Sequence, residues 1–244
     1  MMRTTYAMAL VLVLLVGLAS EARADERDPW EGFNRAIFTF NDALDRWILE
    51  PVATGYDTIT PDPLQRCISN FFWNLRTPVS GVNNLLQAKP AGAATEVGRF
   101  AVNTTLGLAG FLDPADYLGL ARQHEDFGQT LGVWGVPQGP FLMIPLLGAS
   151  SVRDTGGLAV DASMTPTLYF VDGIVTIGAR VVDSVNTRSL VLKEVEDARG
   201  TALDFYAFIR DAYLQHREAE VADHGDRSGD EGDSLYYPDA TPTR

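Results

Sequence analysis

Between Asp28 and Pro51 the apolar residues Trp30, Phe33, Ile37, Phe40, Leu44 and Trp47 recur at spacings of three and four, the period of one helix face. The stretch opens with helix-start chemistry: Asp28 as N-cap, Pro29 at the first helical position and Glu31 where a capping box places its acid. This predicts a helix that ends before Pro51 and packs its stripe into a core. Asn34 and Asn41, seven residues apart at the edge of the stripe, read as structural amides. A chain built from such helices must fold by packing them, and further helix starts follow, although the sequence contains no internal repeat. Asp62-Pro63 starts another segment, Thr77-Pro78 breaks it and Lys89-Pro90 stops it, which predicts two short helices. A helix rich in small residues follows over roughly 91–108, and Asp113-Pro114 opens one more turn.

The character changes between His124 and Asp154, where Gly128, Gly132, Gly135, Gly139 and Gly148 alternate with Pro137, Pro140 and Pro145. Loops and short extended segments are expected to dominate there. Gly128 and Gly132 have the spacing of a small-residue helix contact, a weak signal outside a long apolar helix. Within this region GPFLMIPLLGASSVRD places Phe141, Leu142, Met143, Ile144, Leu146 and Leu147 together. Composition alone fits a buried loop or an exposed segment resting in the acyl-chain zone of one leaflet. Arg153-Asp154 reads as an ion pair pinning that loop, and Asp126 is placed to cap a helix at Phe127. Helical spacing returns after Thr165-Pro166, with apolar residues from Phe170 to Val185 covering about half a circumference. A last helix is expected over roughly 189–221, carrying Leu192, Val195, Ala202, Tyr206, Ile209 and Tyr213 on one side. Residues 222–244 are acidic and aperiodic and read as a disordered tail.

Residues 1–24 have a basic start at Arg3, an apolar stretch too short to span a bilayer as a helix, and Ala22-Arg23-Ala24 before Asp25. They read as a cleaved signal peptide, leaving a single domain over 25–221. The one cysteine, Cys67, lies far from that cleavage site, so no lipid anchor is expected and no internal disulfide can form. The formal charge of −13 argues against a nucleic-acid partner, whose phosphates demand a basic surface. No nucleophile elbow, phosphate loop, dinucleotide fingerprint or metal-ligand spacing is present. No catalytic residue, metal or cofactor is therefore expected.

The motifs DPWEGFNRAIFTFN, SNFFWNLRTPVSGVNNLLQ, RFAVNTTLGLAGFLD, EDFGQTLGVWGVPQGPFLMIPLLGASSVRD and RDAYLQHR occur in that order. In this the chain resembles the MlaA/VacJ family of outer-membrane phospholipid-transport proteins. The resemblance implies a mostly α, ring-like domain with short Gly/Pro-rich loops, seated in the inner leaflet of the outer membrane around an amphipathic channel. It implies association with a trimeric porin and removal of mislocalised phospholipid to a periplasmic carrier. On that reading Asn34, Asn41, Asn83, Asn84 and Asn103 are candidates for the polar channel wall. Residues 141–144, 146 and 147 are candidates for lipid contact, and Asp28, Arg35, Arg153 and Asp154 are structural motif residues. A soluble periplasmic lipid shuttle, or a porin-associated structural protein with no lipid path, would carry similar helices. The family's better-known members are lipoproteins, from which this sequence departs.

Overall fold

The structure, a computed structural model, describes residues 26–222. The expected signal peptide and nearly all of the expected tail lie outside the described residues. The first helix, α1 (Glu31–Leu44), does not stop before Pro51. It passes through a π-helical turn (Asp45–Leu49), closed by Glu50 N–H donating to Asp45 O, into α2 (Glu50–Ile59). Proline lacks the amide hydrogen an α-helix needs, and a widened turn just before it absorbs the mismatch. Asp28 does not cap α1 either, and Glu31 forms an i,i+4 pair with Arg35 in place of a capping box. The Asp28 carboxylate is fully buried, accepting from Asn34 Nδ2 at 2.7 Å and from the Tyr206 hydroxyl.

The predicted break at Thr77-Pro78 is also absent. A single helix, α3 (Asp62–Leu86), carries Pro78 in its interior. Its face Thr77, Ser80, Asn83 and Asn84 is buried, and the Thr77 hydroxyl donates to Trp73 O beside the proline. Packing against α4 (Pro90–Thr105) thus overrides a local helix breaker. Gly81 sits 3.7 Å, measured from an added Cβ, from the Cβ of Glu96 on that neighbour. The short α5 (Pro114–Tyr117) starts where Asp113-Pro114 predicts it, with Asp113 accepting from Asp116 N–H.

The glycine- and proline-rich region holds more regular structure than expected. It contains α6 (Phe127–Val133), capped by Asp126 as the sequence predicts, and a hairpin of β1 (Phe141–Ile144) and β2 (Gly148–Ser151). The antiparallel register pairs Phe141 with Ser151 and Ile144 with Gly148. Its turn places Leu146 at φ 67° and Gly148 at φ 88°, a conformation glycine adopts freely and leucine at a cost. From Ser151, which caps it, α7 (Val152–Met164) leads to α8 (Thr167–Phe170) and α9 (Gly173–Leu190), the last capped by Asp172.

The final helix of the sequence reading is two helices, α10 (Leu192–Thr201) and α11 (Phe205–Ala222). The break lies at 202–204, where Asp204 accepts from Ala207 N–H and holds Arg35 through both carboxylate oxygens. Leu203 is left fully exposed there. A small apolar core forms where the hairpin meets α1 and α11, built from Phe141, Met143, Tyr206, Tyr213 and Leu214. Phe38 meets Tyr206 edge-on at 5.5 Å.

Candidate functional site

Outside that core the distribution of polarity is inverted. Among the described residues, buried polar and charged side chains outnumber buried apolar ones by more than two to one. Large apolar side chains lie on the surface of nearly every helix. On α8 and α9 the exposed set is Leu168, Tyr169, Phe170 (87%), Ile174 (82%), Val175, Ile177, Val181 and Val182. Trp47 (82%), Ile48 and Val52 continue it on the π-helical turn and α2, which packs against α9. A face of this extent far exceeds the scattered apolar exposure of ordinary soluble proteins. No helix among the described residues is long and apolar enough to cross a membrane. The stripe of α1, expected to be core, is likewise divided: Phe40 and Trp47 are exposed and Ile37 packs inward.

The hairpin divides the run that composition left open. Phe141 and Met143 enter the core, Leu142 and Ile144 are half-buried, and Leu146 and Leu147 stand exposed at the turn. The alternation is that of a strand with one covered face. What holds β1 is a pair of side-chain amides. Asn34 Nδ2 donates to Phe141 O at 3.0 Å, and Asn34 Oδ1 accepts from Met143 N–H at 2.9 Å. One step along, Asn41 Nδ2 donates to Ile144 O and Asn41 Oδ1 accepts from Leu146 N–H, both at 2.9 Å. Seven helical residues rise about 10.5 Å, and three strand residues rise about 10 Å. The spacing of the two asparagines therefore matches the strand they clamp, each carboxamide standing in for a neighbouring strand's peptide group.

The asparagines named as candidates for a channel wall all make hydrogen bonds within the fold, and Asn41 is half-buried. Asn34, Asn83 and Asn84 are fully buried, and Asn103 nearly so. Asn83 bridges Asp161 and Thr130, Asn84 donates to Ser80 O and Gln123 O, and Asn103 joins Asp113 to Ala115 N–H. A buried amide must find such partners or lose the free energy of its hydration, so these groups hold helices together and face no open space. Asn34→Leu should lower stability by about 2–4 kcal/mol, because it strands Phe141 O, Met143 N–H and part of Asp28. Thermal unfolding followed by circular dichroism would reveal the loss, and an unchanged midpoint would contradict the clamp.

The Arg153-Asp154 pair belongs to a larger buried cluster. Asp154 accepts from Arg153 Nε at 2.9 Å, from Arg217 through Nε and Nη2, and from the Tyr213 hydroxyl at 2.5 Å. Arg217 also holds Asp126 with both terminal nitrogens and Glu220 through Nη1. Three helices, α6, α7 and α11, are thereby tied at one point. Glycines allow it: a Cβ on Gly157 would come within 2.4 Å of Gly128 N, and one on Gly128 within 2.5 Å of Asp154 Oδ1. The Gly128 signal noted in the sequence thus marks a close helix contact. Sequence reasoning missed Tyr213, Arg217 and Glu220, although Tyr213 and Arg217 sit four apart on one helix face.

Burial alone would raise the Asp154 carboxyl, but the charge and hydrogen bonds of Arg217, with those of Tyr213 and Arg153, hold it down at about 2. Glu220 is likewise raised by burial and brought to about 2 by the hydrogen bond from His216 and the charge of Arg217. Elsewhere, burial pushes Glu96 up to about 7 against the Gln123 N–H bond and the nearby Arg99 and Arg122. Linkage gives the signs. The depressed pair contributes stability above their ordinary values of 3.8 and 4.5, and this is lost as pH falls toward 2. The raised Glu96 costs stability above about 7 and relieves it as pH falls toward 4.5. The melting temperature should thus rise slightly from pH 7 to 4.5 and fall steeply below 4. Glu96→Gln should flatten the upper limb only.

Comparison with known proteins bears on this geometry. The family model "MlaA lipoprotein" matches residues 26–220, nearly all of the described chain. The chain belongs to the MlaA lipoprotein family. "Intermembrane phospholipid transport system lipoprotein MlaA" of Shigella flexneri is 36% identical over 218 residues, covering 87% of this chain and 86% of that protein. An uncharacterized protein of Rickettsia felis is 37% identical over 195 residues, covering 80% and 78%. A solved structure described as "Structural basis for maintenance of bacterial outer membrane lipid asymmetry" superposes with a TM-score of 0.72 at 37% identity, covering 80% of this chain and 98% of that one. The MlaA relatives are called lipoproteins, whereas Cys67, the one cysteine in this sequence, lies half-buried within α3.

Proposed function

We propose that this protein is the outer-membrane component of an intermembrane phospholipid-transport system. It removes mislocalised phospholipid from the outer leaflet through an amphipathic channel in a ring-like domain, and so maintains lipid asymmetry. It works beside a porin trimer and passes lipid to a periplasmic carrier. The observation that carries the proposal is the inverted polarity: an apolar exterior over α2, α8 and α9 around an interior of hydrogen-bonded polar groups. A head group resists entering hydrocarbon because its charges lose water. A protein with apolar side chains toward the acyl region and polar groups within lowers that barrier, and the task asks no covalent chemistry of it. The names of the relatives from Shigella flexneri and Escherichia coli point the same way.

Membrane attachment, on this reading, comes at least from the apolar exterior of α2, α8 and α9. The test is deletion of the gene, with outer-leaflet phospholipid and detergent sensitivity measured before and after complementation. Both should rise on deletion and return on complementation. Unchanged outer-leaflet phospholipid would refute the transport role, and co-purification of porin in that circumstance would mark a structural partner without a lipid path.

A further inference from the structure

Charge is unevenly placed in this molecule. The chain carries a formal charge of −13, yet α3 holds Arg66 and Arg76 and, after Asp62 at its first position, no acid. Packed against it, α9 holds Arg180 and Arg188 with Asp183 as its one acid. Arg188 is bound to Asp45 and Glu50. Asp183 accepts from Arg76 Nη2 and also feels the charge of Arg180, three residues back on the same helix face. Burial pushes the Asp183 carboxyl up in spite of both. Other acids stand apart. Asp57 of α2 accepts from Gln65, whose Oε1 accepts from Ser189, and Ser189 lies about 13.5 Å along the axis from Arg180. Asp172 caps the start of α9, about 12 Å the other way. One carboxylate therefore serves two guanidiniums, and the seam between α3 and α9 is locally positive.

The seam is also open. Arg180 is exposed, and the Arg76 side chain is 37% exposed. Among the described residues the Arg180 guanidinium has no hydrogen bond or ion pair. Beside it on α9 stand the exposed Ile177 and Val181, so Arg180 borders the face that the transport reading seats among acyl chains. An arginine at such a border loses hydration unless an anion meets it. A guanidinium matches phosphate oxygens with two parallel donors, and a phospholipid brings a phosphate to that border with apolar chains attached. We propose that Arg180 and Arg76 bind the phosphate of a phospholipid at the seam of α3 and α9, and that Asp183 is the internal carboxylate which this phosphate displaces from Arg76. The acyl chains then lie along Ile177 and Val181. The inference rests on the transport reading and names the residues that hold the lipid's phosphate within it.

Native mass spectrometry of the full chain, purified in a maltoside detergent that carries no phosphate, counts bound lipid directly. Dimyristoyl phosphatidylglycerol and dimyristoylglycerol share their chains and differ in the phosphate head group, so the ratio of their affinities isolates the head group from the apolar face. Wild type should prefer the phospholipid by about thirtyfold, the scale of one or two hydrogen bonds to a charged group. Arg180→Gln should lower that preference about tenfold, and Lys193→Gln, on the exposed surface of α10, should leave it unchanged. Asp183→Asn should raise it about fivefold by releasing Arg76, a gain that Arg76→Gln in the same chain should cancel. A purely structural Arg76–Asp183 pair predicts no such gain. Melting temperatures are recorded for each variant, and Arg180→Gln strands no partner, so it carries the test even where Asp183→Asn costs stability. An undiminished preference in Arg180→Gln, or no gain in a folded Asp183→Asn protein, overturns the proposal. So does inorganic phosphate binding that Arg180→Gln abolishes in a chain with no preference between the two lipids, which would assign the seam to free phosphate. A deletion strain that accumulates outer-leaflet phospholipid while these variants bind like wild type would sink this assignment and leave the transport role standing.

Discussion

Arg217→Met should destabilise the protein by about 3–5 kcal/mol, the loss seen when one partner of a buried ion pair is removed. The guanidinium reaches Asp126 at 2.7 and 2.9 Å, Asp154 at 3.1 and 3.2 Å, and Glu220 at 2.7 Å. Methionine would leave Asp154 and Glu220 buried, with the Arg153 guanidinium on the first and the His216 imidazole on the second as their remaining basic partners. Domains are stable by only about 5–15 kcal/mol, so most of the margin is at stake. At about 2–4 °C per kcal/mol for a chain of this size, the melting temperature should fall by roughly 6–20 °C. Arg217→Lys keeps the charge but not the fork and should fall in between. A melting temperature within a degree or two of wild type for Arg217→Met would mean that the carboxylates are solvated and the cluster is not buried as described.

The same cluster shows what a sequence displays and what it hides. Local chemistry was legible: Asp113 and Asp126 lie before helix starts, and Arg153-Asp154 pairs across a single peptide bond. Asp172, which caps α9, was not, because the helical spacing ran straight through it. Long-range assignments were not. Asp28 has every local mark of an N-cap, yet Tyr206 and Asn34 claim its carboxylate, and no spacing rule links residues so far apart in the chain. Pro51 and Pro78 mark breaks on propensity, and packing of neighbouring helices, with one π-helical turn, carries the chain past both. The clamp formed by Asn34 and Asn41 was hidden for a related reason. An amide at the edge of an apolar stripe fits a polar pore and a helix–strand clamp equally well, and only the position of β1 decides between them. The motif order, by contrast, was sufficient to identify the family.

Replacing Ile174, Ile177 and Val181 together by Asp should release the protein from membranes while leaving its fold in place. All three are exposed on α9, at positions that share one face, and α9 meets α2 and α3 through its other side. Exposed substitutions cost little folding stability, typically within about 0.5 kcal/mol each. For membrane contact the balance is different. Each buried aliphatic side chain contributes about 1.5–3 kcal/mol to leaving water, so losing three removes about 5–9 kcal/mol before the desolvation of three new carboxylates is counted. A partition coefficient should then fall by at least about a thousandfold. The measurement is the carbonate-resistant membrane fraction, with Lys193, Glu194 and Asp197 of α10 changed together to Ala as a control on an exposed polar surface. Wild type and control should sediment with membranes and the α9 variant should not. Equal sedimentation of all three would place the bilayer contact elsewhere, and would leave the apolar face of α9 for a protein partner to cover.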